Sequence, residues 1–203
     1  MELSTPSSPI SRRTFLRTTA VAAGAVAAGV ALQSEAVAGG SADHFYTTSV
    51  AEWDGARQAG WYDETWINRF YVFPRPTSYQ GRGTSRLYRL YNRSINDHFY
   101  TVDYSEAVSA ISGGGYSDES SITPMYVFAD FPRPLLVSCR SLYRMWSDRA
   151  TDHFYTTNTD ELNGAVSAGY RNETYESTRM WVFDSPVVFS GVQAVPVFRL
   201  YHP

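Results

Sequence analysis

The chain has 203 residues, 43% of them hydrophobic, with a formal net charge of −3 and a single cysteine. All 17 positive charges are arginine, and the lack of a basic surplus argues against a nucleic-acid partner. One cysteine excludes an internal disulfide framework and a cysteine-based zinc site, and 15% aromatic content is too rich for a disordered chain.

Residues 1–38 read as an address. Arg12 and Arg13 stand ahead of Phe15 and Leu16, and Thr18 to Ser34 carries no charge. Ala36-Val37-Ala38 then precedes Gly39, a small-residue cleavage pattern that places the cut between Ala38 and Gly39. The paired arginines resemble a twin-arginine export signal, which gives Arg12 and Arg13 a targeting role. A transmembrane anchor is disfavoured, because the uncharged stretch is short and rich in Ala and Gly. The resemblance implies export in a folded state, a secreted location, and no stable membrane insertion after cleavage.

Residues 39–203 repeat one unit three times, and a fixed period is read before any element is assigned. Asp-His-Phe-Tyr-Thr stands at 43–47, 97–101 and 152–156. Leu87-Tyr88-Arg89-Leu90-Tyr91 returns as Leu142-Tyr143-Arg144-Met145-Trp146 and as Val197-Phe198-Arg199-Leu200-Tyr201, 55 residues apart each time. Phe70-Tyr71-Val72-Phe73, Met125-Tyr126-Val127-Phe128 and Met180-Trp181-Val182-Phe183 keep the same period. We expect 39–203 to be a single domain of three such units.

Within a unit, the alternating aromatic Leu-Tyr-Arg-Leu-Tyr run predicts a strand. The polar link Asn92 to Asn96 predicts a hairpin returning through Asp-His-Phe-Tyr-Thr. Ser49-x-x-Glu52, Asp103-x-x-Glu106 and Asn158-x-x-Glu161 are capping-box patterns that open three short helices. The helices are expected to stop at Gly60, at Gly114 or Gly115, and at Gly169, while Ala56, Ala110 and Ala165 allow close packing on the sheet. A short strand, the Tyr-Val-Phe strand and a proline-containing loop complete the unit. The first unit lacks its Leu-Tyr-Arg strand, and Val197 to Tyr201 supply one at the far end. This permuted cut predicts a ring closed by pairing the last strand with the first. The expected fold is mainly β with three short helices: a closed pseudo-threefold repeat domain, β-trefoil-like by analogy, with another threefold β architecture such as a β-prism as the alternative.

Taken together, Leu-Tyr-Arg-Leu-Tyr-Asn, Asp-His-Phe-Tyr-Thr, Gly-Tyr and Tyr-Val-Phe resemble a family of secreted repeat domains of unknown function. Its members occur in bacteria and fungi, often appended to extracellular peptidases or glycoside hydrolases. The resemblance covers nearly all of 43–201 and implies an accessory domain. One departure concerns the residue after the Glu of Gly-Tyr-x-x-Glu, where the family tends to carry Gly. Here Thr65, Ser120 and Thr174 stand in its place, which changes the residue on which the following turn is built.

His44, His98 and His153 could form a threefold zinc tripod. A hairpin register pairing Tyr91 with Asp97 would instead set His98 opposite Leu90, among aromatic neighbours, and favours structural histidines; no metal and no cofactor are expected. In that register Asp97 and Arg89 share a sheet face, as do Asp43 with Arg199 and Asp152 with Arg144. Such pairs are either sugar-binding groups or internal ion pairs that fix the hairpin. With Tyr46, Tyr100 and Tyr155, these aspartates and histidines are the repeated candidates for ligand binding. Trp66 and Tyr175 are added because they lie in a polar turn where the middle unit has serine, and an exposed aromatic can stack on a sugar or anchor a partner. Trp53, Trp146 and Trp181 are expected in the core. Cys139, with Thr84 and Ala194 at equivalent places, is expected to be buried and inert.

Nothing in the sequence sets two carboxylates in the contrasting environments that glycoside hydrolysis needs. No Gly-x-Ser-x-Gly, phosphate loop or dinucleotide fingerprint is present. The expected function is therefore a secreted, non-catalytic, monomeric binding module for a glycan or another extracellular polymer, with quasi-equivalent sites gaining avidity. The alternative is a domain that binds an extracellular protein, for instance a protease inhibitor presenting the loop Tyr79 to Ser85 with Gln80-Gly81-Arg82-Gly83.

Overall fold

The computed structural model describes residues 42–132 and 138–203; Arg12, Arg13, Ala38, Gly39 and the rest of the expected export signal lie outside the described residues. The first unit holds β1 (Asp43–Thr47), α1 (Val50–Gln58), β2 (Tyr62–Asp63), β3 (Tyr71–Val72) and the pair β4 (Ser78–Tyr79) and β5 (Arg82–Gly83). Next come β6 (Ser85–Asn92), β7 (Asp97–Thr101), α2 (Tyr104–Gly113), β8 (Ser117–Asp118) and β9 (Met125–Val127). The last part holds β10 (Cys139–Ser147), β11 (Asp152–Thr156), α3 (Thr159–Ser167), β12 (Arg171–Asn172) and β13 (Met180–Phe183). It ends with β14 (Val188–Phe189), β15 (Val192–Gln193), β16 (Val195–Pro196) and β17 (Phe198–His202). The chain is mainly β, with three helices among the described residues.

The long Leu-Tyr-Arg strands organise the sheets. β6 pairs antiparallel with β7, β8 and β9, and β10 does the same with β11, β12 and β13. The third set draws on both ends of the chain: β17 pairs with β1 and β2, and β16 pairs with β3. The Tyr-Val-Phe segments bridge one another in a cycle, Phe73 to Tyr126, Phe128 to Trp181 and Phe183 to Tyr71.

The hairpin register differs by one residue from the sequence expectation. Asn92 pairs with Asp97 and Tyr91 with His98. Asn92 stays in the strand because Asn96 takes a positive φ of 53° and shortens the link. The Asn92 side chain also accepts from the Ser94 N–H at 3.0 Å and donates to the Gly114 carbonyl at 2.8 Å. A slip of one residue exchanges the faces of a strand, so Arg89 sits opposite Tyr100 and away from Asp97. The expected Asp–Arg pairs are therefore replaced by Asp–His and Glu–Arg pairs.

The helix starts are capped as expected, by Ser49, Asp103 and Asn158. The glutamates do not close a capping box. The cap N–H of Ser49, Asp103 and Asn158 goes instead to Thr47, Thr101 and Thr156 at 3.0, 3.1 and 2.9 Å, freeing Glu52, Glu106 and Glu161 for arginine. After the helices, Gly60, Gly115 and Gly169 hold φ of 100°, 76° and 96°, the left-handed conformation that glycine adopts without a Cβ penalty.

The central core packs Tyr46, Tyr100 and Tyr155 against Phe70, Leu87, Met125, Leu142, Met180 and Val197. A second layer is made by Phe73, Phe128 and Phe183, edge-on to one another at 5.9, 6.2 and 6.3 Å between centroids, a favoured aromatic geometry. Trp53 and Trp146 are half-buried and stand outside these clusters, whereas the half-buried Trp181 packs against the second layer. Trp53 stacks on Phe198 at 5.1 Å and carries the Arg57 guanidinium over its ring at 4.5 Å. Its position on the outer shoulder of α1 leaves one face of the indole to a charged neighbour.

Candidate functional site

β1, β7 and β11 bring the three repeated tyrosines together. The Tyr46 hydroxyl donates to the Tyr155 carbonyl at 2.8 Å and accepts from the Tyr155 N–H at 2.9 Å. Tyr155 serves Tyr100 in the same way, and Tyr100 serves Tyr46, all at 2.8 Å. Each phenol thus satisfies one buried donor and one buried acceptor of a strand from another unit, and the three bonds pairs form a cycle. Such groups are costly when left unpaired. Burial pushes the Tyr100 and Tyr155 phenols well above their ordinary range. A small apolar cavity lies against this ring, lined by the three tyrosines with Phe70, Leu87, Met125, Leu142 and Val197. Its volume of about 10 Å³ is on the scale of one water molecule.

The aspartates and histidines form a second cycle. Asp152 accepts from the His44 N–H at 2.9 Å and lies 2.7 Å from His44 Nδ1. Asp43 holds His98 at 2.9 and 2.6 Å, and Asp97 holds His153 at 2.7 and 2.7 Å. Each histidine then points Nε2 toward a glutamate, Glu64, Glu119 or Glu173, at 3.7, 3.7 and 3.8 Å. That glutamate also contacts the repeated arginine: Glu64 with Arg199 at 2.8 Å, Glu119 with Arg89 at 3.3 Å, Glu173 with Arg144 at 3.5 Å. The arginine reaches on to the helix glutamate, Arg199 to Glu161 at 2.8 Å and Arg89 and Arg144 to Glu52 and Glu106 at 2.9 Å. Thr156, Thr47 and Thr101 complete the three chains by donating to those carboxylates. Each guanidinium also lies over a phenylalanine, Phe45, Phe99 or Phe154, at 5.2, 5.1 and 4.6 Å.

Charge follows from this packing. Burial alone pushes the His44 imidazole down, but the Asp152 charge and hydrogen bond, with Glu64, outweigh it and hold it at about 9. His98 is held at about 9 by Asp43 and Glu119 against the same burial. Burial raises Glu64, yet His44 and Arg199 bring it down to about 2. Asp43 remains raised, because burial exceeds the help from His98.

The nine repeated candidates, Asp43, His44, Tyr46, Asp97, His98, Tyr100, Asp152, His153 and Tyr155, are therefore brought together, facing one another. All are buried except the partly buried His153. A ligand reaching them would first have to break these bonds. The three histidines do not form a tripod, since each is turned to its own aspartate. Carboxylate oxygens of Asp43, Asp97 and Asp152 come within 4.8 Å of one another, and they are the group among the described residues with spacing suited to a cation. Their oxygens already serve the histidine N–H and Nδ1.

Trp66 and Tyr175 are placed differently, at 70% and 61% exposed. The turns that carry them are hydrogen-bonded to the long strands. Asp63, Asp118 and Asn172 accept from the N–H of Thr65, Ser120 and Thr174 at 2.9, 2.8 and 2.9 Å. The hydroxyls of the same Thr65, Ser120 and Thr174 accept from the N–H of Arg199, Arg89 and Arg144 at 3.0, 2.9 and 2.8 Å. A hydroxyl in place of glycine thus ties the turn to the long strand. The exposed Tyr62 sits four residues before Trp66, at 61%.

Sequence reasoning missed Glu64, Glu119 and Glu173 as the shared partner of histidine and arginine. Their recurrence four residues after Gly60, Gly115 and Gly169 was the available signal. The loop between β4 and β5 is a two-residue hairpin with positive φ at Gln80 and Gly81. Cys139 is buried and free, its thiol pushed up by burial to about 11.

Comparison with known proteins gives one result. Residues 34–177, and again 141–203, match the family described as "Domain of unknown function (DUF5648)". No curated protein and no solved structure matches the chain. The matched segments cover most of the sequence, and the chain belongs to this family.

Proposed function

We propose that this member of the family is a non-catalytic binding module that works outside the cell and recognises glycan or another extracellular polymer. Trp66 and Tyr175 are its contact residues, at quasi-equivalent turns of two units. One observation carries the reading: these two large aromatics stand open to solvent on turns fixed to the arginine strands. Exposed aromatics on a rigid support lose little entropy on stacking against a sugar face. The repeated acids, bases and hydroxyls are engaged with one another inside, which supports a structural role for them.

The architecture proposed is a closed, pseudo-threefold, β-trefoil-like domain. Pairing of β17 with β1, the cycle of tyrosines and the cycle of Tyr-Val-Phe bridges support it. Export by the twin-arginine route, on residues 1–38, fits a domain whose interior is held by buried ion pairs and no disulfide. Replacing both Arg12 and Arg13 by Lys should keep the protein inside the cell, read by its amount in the culture fluid; undiminished export would remove this part of the proposal.

Binding is tested by co-sedimentation with insoluble polymers, including peptidoglycan, chitin, cellulose and xylan. Retention on at least one, lost in Trp66→Ala or Tyr175→Ala, is expected. No retention on any polymer would overturn the reading, and capture of a secreted protease instead would favour an interaction domain.

A further inference from the structure

One place in the repeat is settled differently in each unit. It is the last aromatic of the Leu-Tyr-Arg strand: Tyr91 on β6, Trp146 on β10 and Tyr201 on β17. On one side it stands opposite its histidine, His98, His153 or His44. On the other side it stands opposite Ser117, Arg171 or Tyr62.

In two units the polar atom of this ring is satisfied within its own hairpin. The Tyr91 hydroxyl donates to Asn96 Oδ1 at 3.0 Å, and the Trp146 Nε1–H donates to Asp148 Oδ1 at 2.7 Å. The outer neighbours are engaged as well: Ser117 donates to the Tyr91 carbonyl at 3.1 Å, and Arg171 pairs with Asp148. In the first unit Ala42 stands where the second has Asn96. It packs on Tyr201 and offers no side-chain acceptor. Tyr201 is only 3% exposed, and its buried hydroxyl makes no hydrogen bond among the described residues. The His44 ring, 4.8 Å from that of Tyr201, holds the phenol in place, and the outer neighbour Tyr62 is exposed.

A buried donor without a partner costs stability, and Phe at this place would fill the space without that cost. Such local violations collect at functional sites. Burial, the nearby Asp152 and Glu64 carboxylates and the Tyr62 phenol push the Tyr201 hydroxyl up to about 12. It keeps its proton and meets a ligand as a donor. The same carboxylates, and the net negative charge of the chain, repel an anionic ligand. A hydroxyl or ring oxygen of a neutral sugar is the acceptor that suits it, with the sugar's apolar face against Tyr62.

We propose that Tyr201 and Tyr62 form a subsite for one unit of a neutral polysaccharide, the Tyr201 hydroxyl donating the hydrogen bond and the Tyr62 ring giving the stacking surface. The sugar reaches the hydroxyl as the Tyr62 ring turns aside, a motion open to an exposed side chain. The proposal rests on the glycan-binding reading and deepens it: the first unit, which also carries Trp66, holds the principal site.

Co-sedimentation with cellulose, chitin and xylan, and with beads carrying polygalacturonate, tests it beside urea melts. Tyr201→Phe should lower the apparent affinity for the retaining neutral polymer about fivefold while raising the urea midpoint. Tyr62→Ala, at an exposed place, should weaken retention with no fall in the midpoint. Tyr91→Phe, whose hydroxyl is already engaged with Asn96, should keep full retention. Wild-type retention in Tyr201→Phe, with retention lost in Trp66→Ala, would overturn the subsite and leave the glycan reading standing. A lower urea midpoint in Tyr201→Phe would show the hydroxyl to be satisfied inside and would overturn the subsite too, as would retention of the wild type by polygalacturonate alone. A wild type retained by none of the polymers would overturn the subsite and the glycan reading together.

Discussion

Tyr46, Tyr100 and Tyr155 show how a residue repeated without variation can serve the interior. The Tyr100 hydroxyl satisfies both the N–H and the carbonyl of Tyr46. Tyr100→Phe should therefore leave two buried groups unpaired, at about 1–3 kcal/mol each, seen as a lower urea midpoint with an unchanged slope. A midpoint within error of the wild type would refute that role. The histidines set the pH response. His44 and His98 are raised to about 9 from an unfolded value of about 6.5. Their contribution is full below about 6.5 and is lost as pH rises through 9. Glu64, lowered to about 2 from its ordinary value of 4.5, adds stability above 4.5 that is lost as pH falls through 2; the raised Asp43 opposes part of this acid-side loss. Thermal midpoints should fall from pH 6.5 toward pH 10, and His98→Gln should flatten that fall. An unchanged alkaline slope in the variant would contradict the assignment. Identity of Asp, His and Tyr in three copies was legible in the sequence. Their partners were not, because His44 and Asp152 lie 108 residues apart and no local spacing reports such a contact.

The helix starts give the clearest case of a motif whose spacing was legible and whose purpose was not. Ser49, Asp103 and Asn158 cap their helices, as the pattern indicated. The glutamate three residues on has a different task, since a threonine takes the cap N–H and the carboxylate neutralises a buried arginine. The two roles separate by magnitude. Asn158→Ala should cost about 1 kcal/mol, the usual loss of a cap. Glu161→Gln should cost about 3 kcal/mol or more, because Arg199 is left buried with half its counter-charge. Equal costs in denaturant melts would return Glu161 to a capping box. The hairpin register differs from the expected one by one residue for a related reason. Asn92 looks like a turn residue, but its side chain serves the loop while its backbone stays in β6.

At the scale of the whole molecule, the period of the repeats was legible because three motifs recur together, and the pairing of the last strand with the first followed from it. The reading of a closed ring can be tested by moving the cut. Asp43 lies opposite His202, so a chain with its ends joined there and reopened between Arg93 and Ser94 should fold and melt cooperatively. Loss of cooperative melting in that permutant would argue for an open arrangement. Departure from the repeat was what marked Trp66 and Tyr175, and both are exposed. Tyr62 and Tyr104 are exposed as well, and no break in a repeated motif marked them. The most direct test of the proposed function is retention on the bound polymer by three proteins side by side: wild type, Trp66→Ala with Tyr175→Ala, and Tyr100→Phe. The account expects the double alanine variant to lose retention and the folded Tyr100→Phe variant to keep it. Full retention by the double variant, or its loss in a folded Tyr100→Phe protein, would place the site elsewhere and contradict the account.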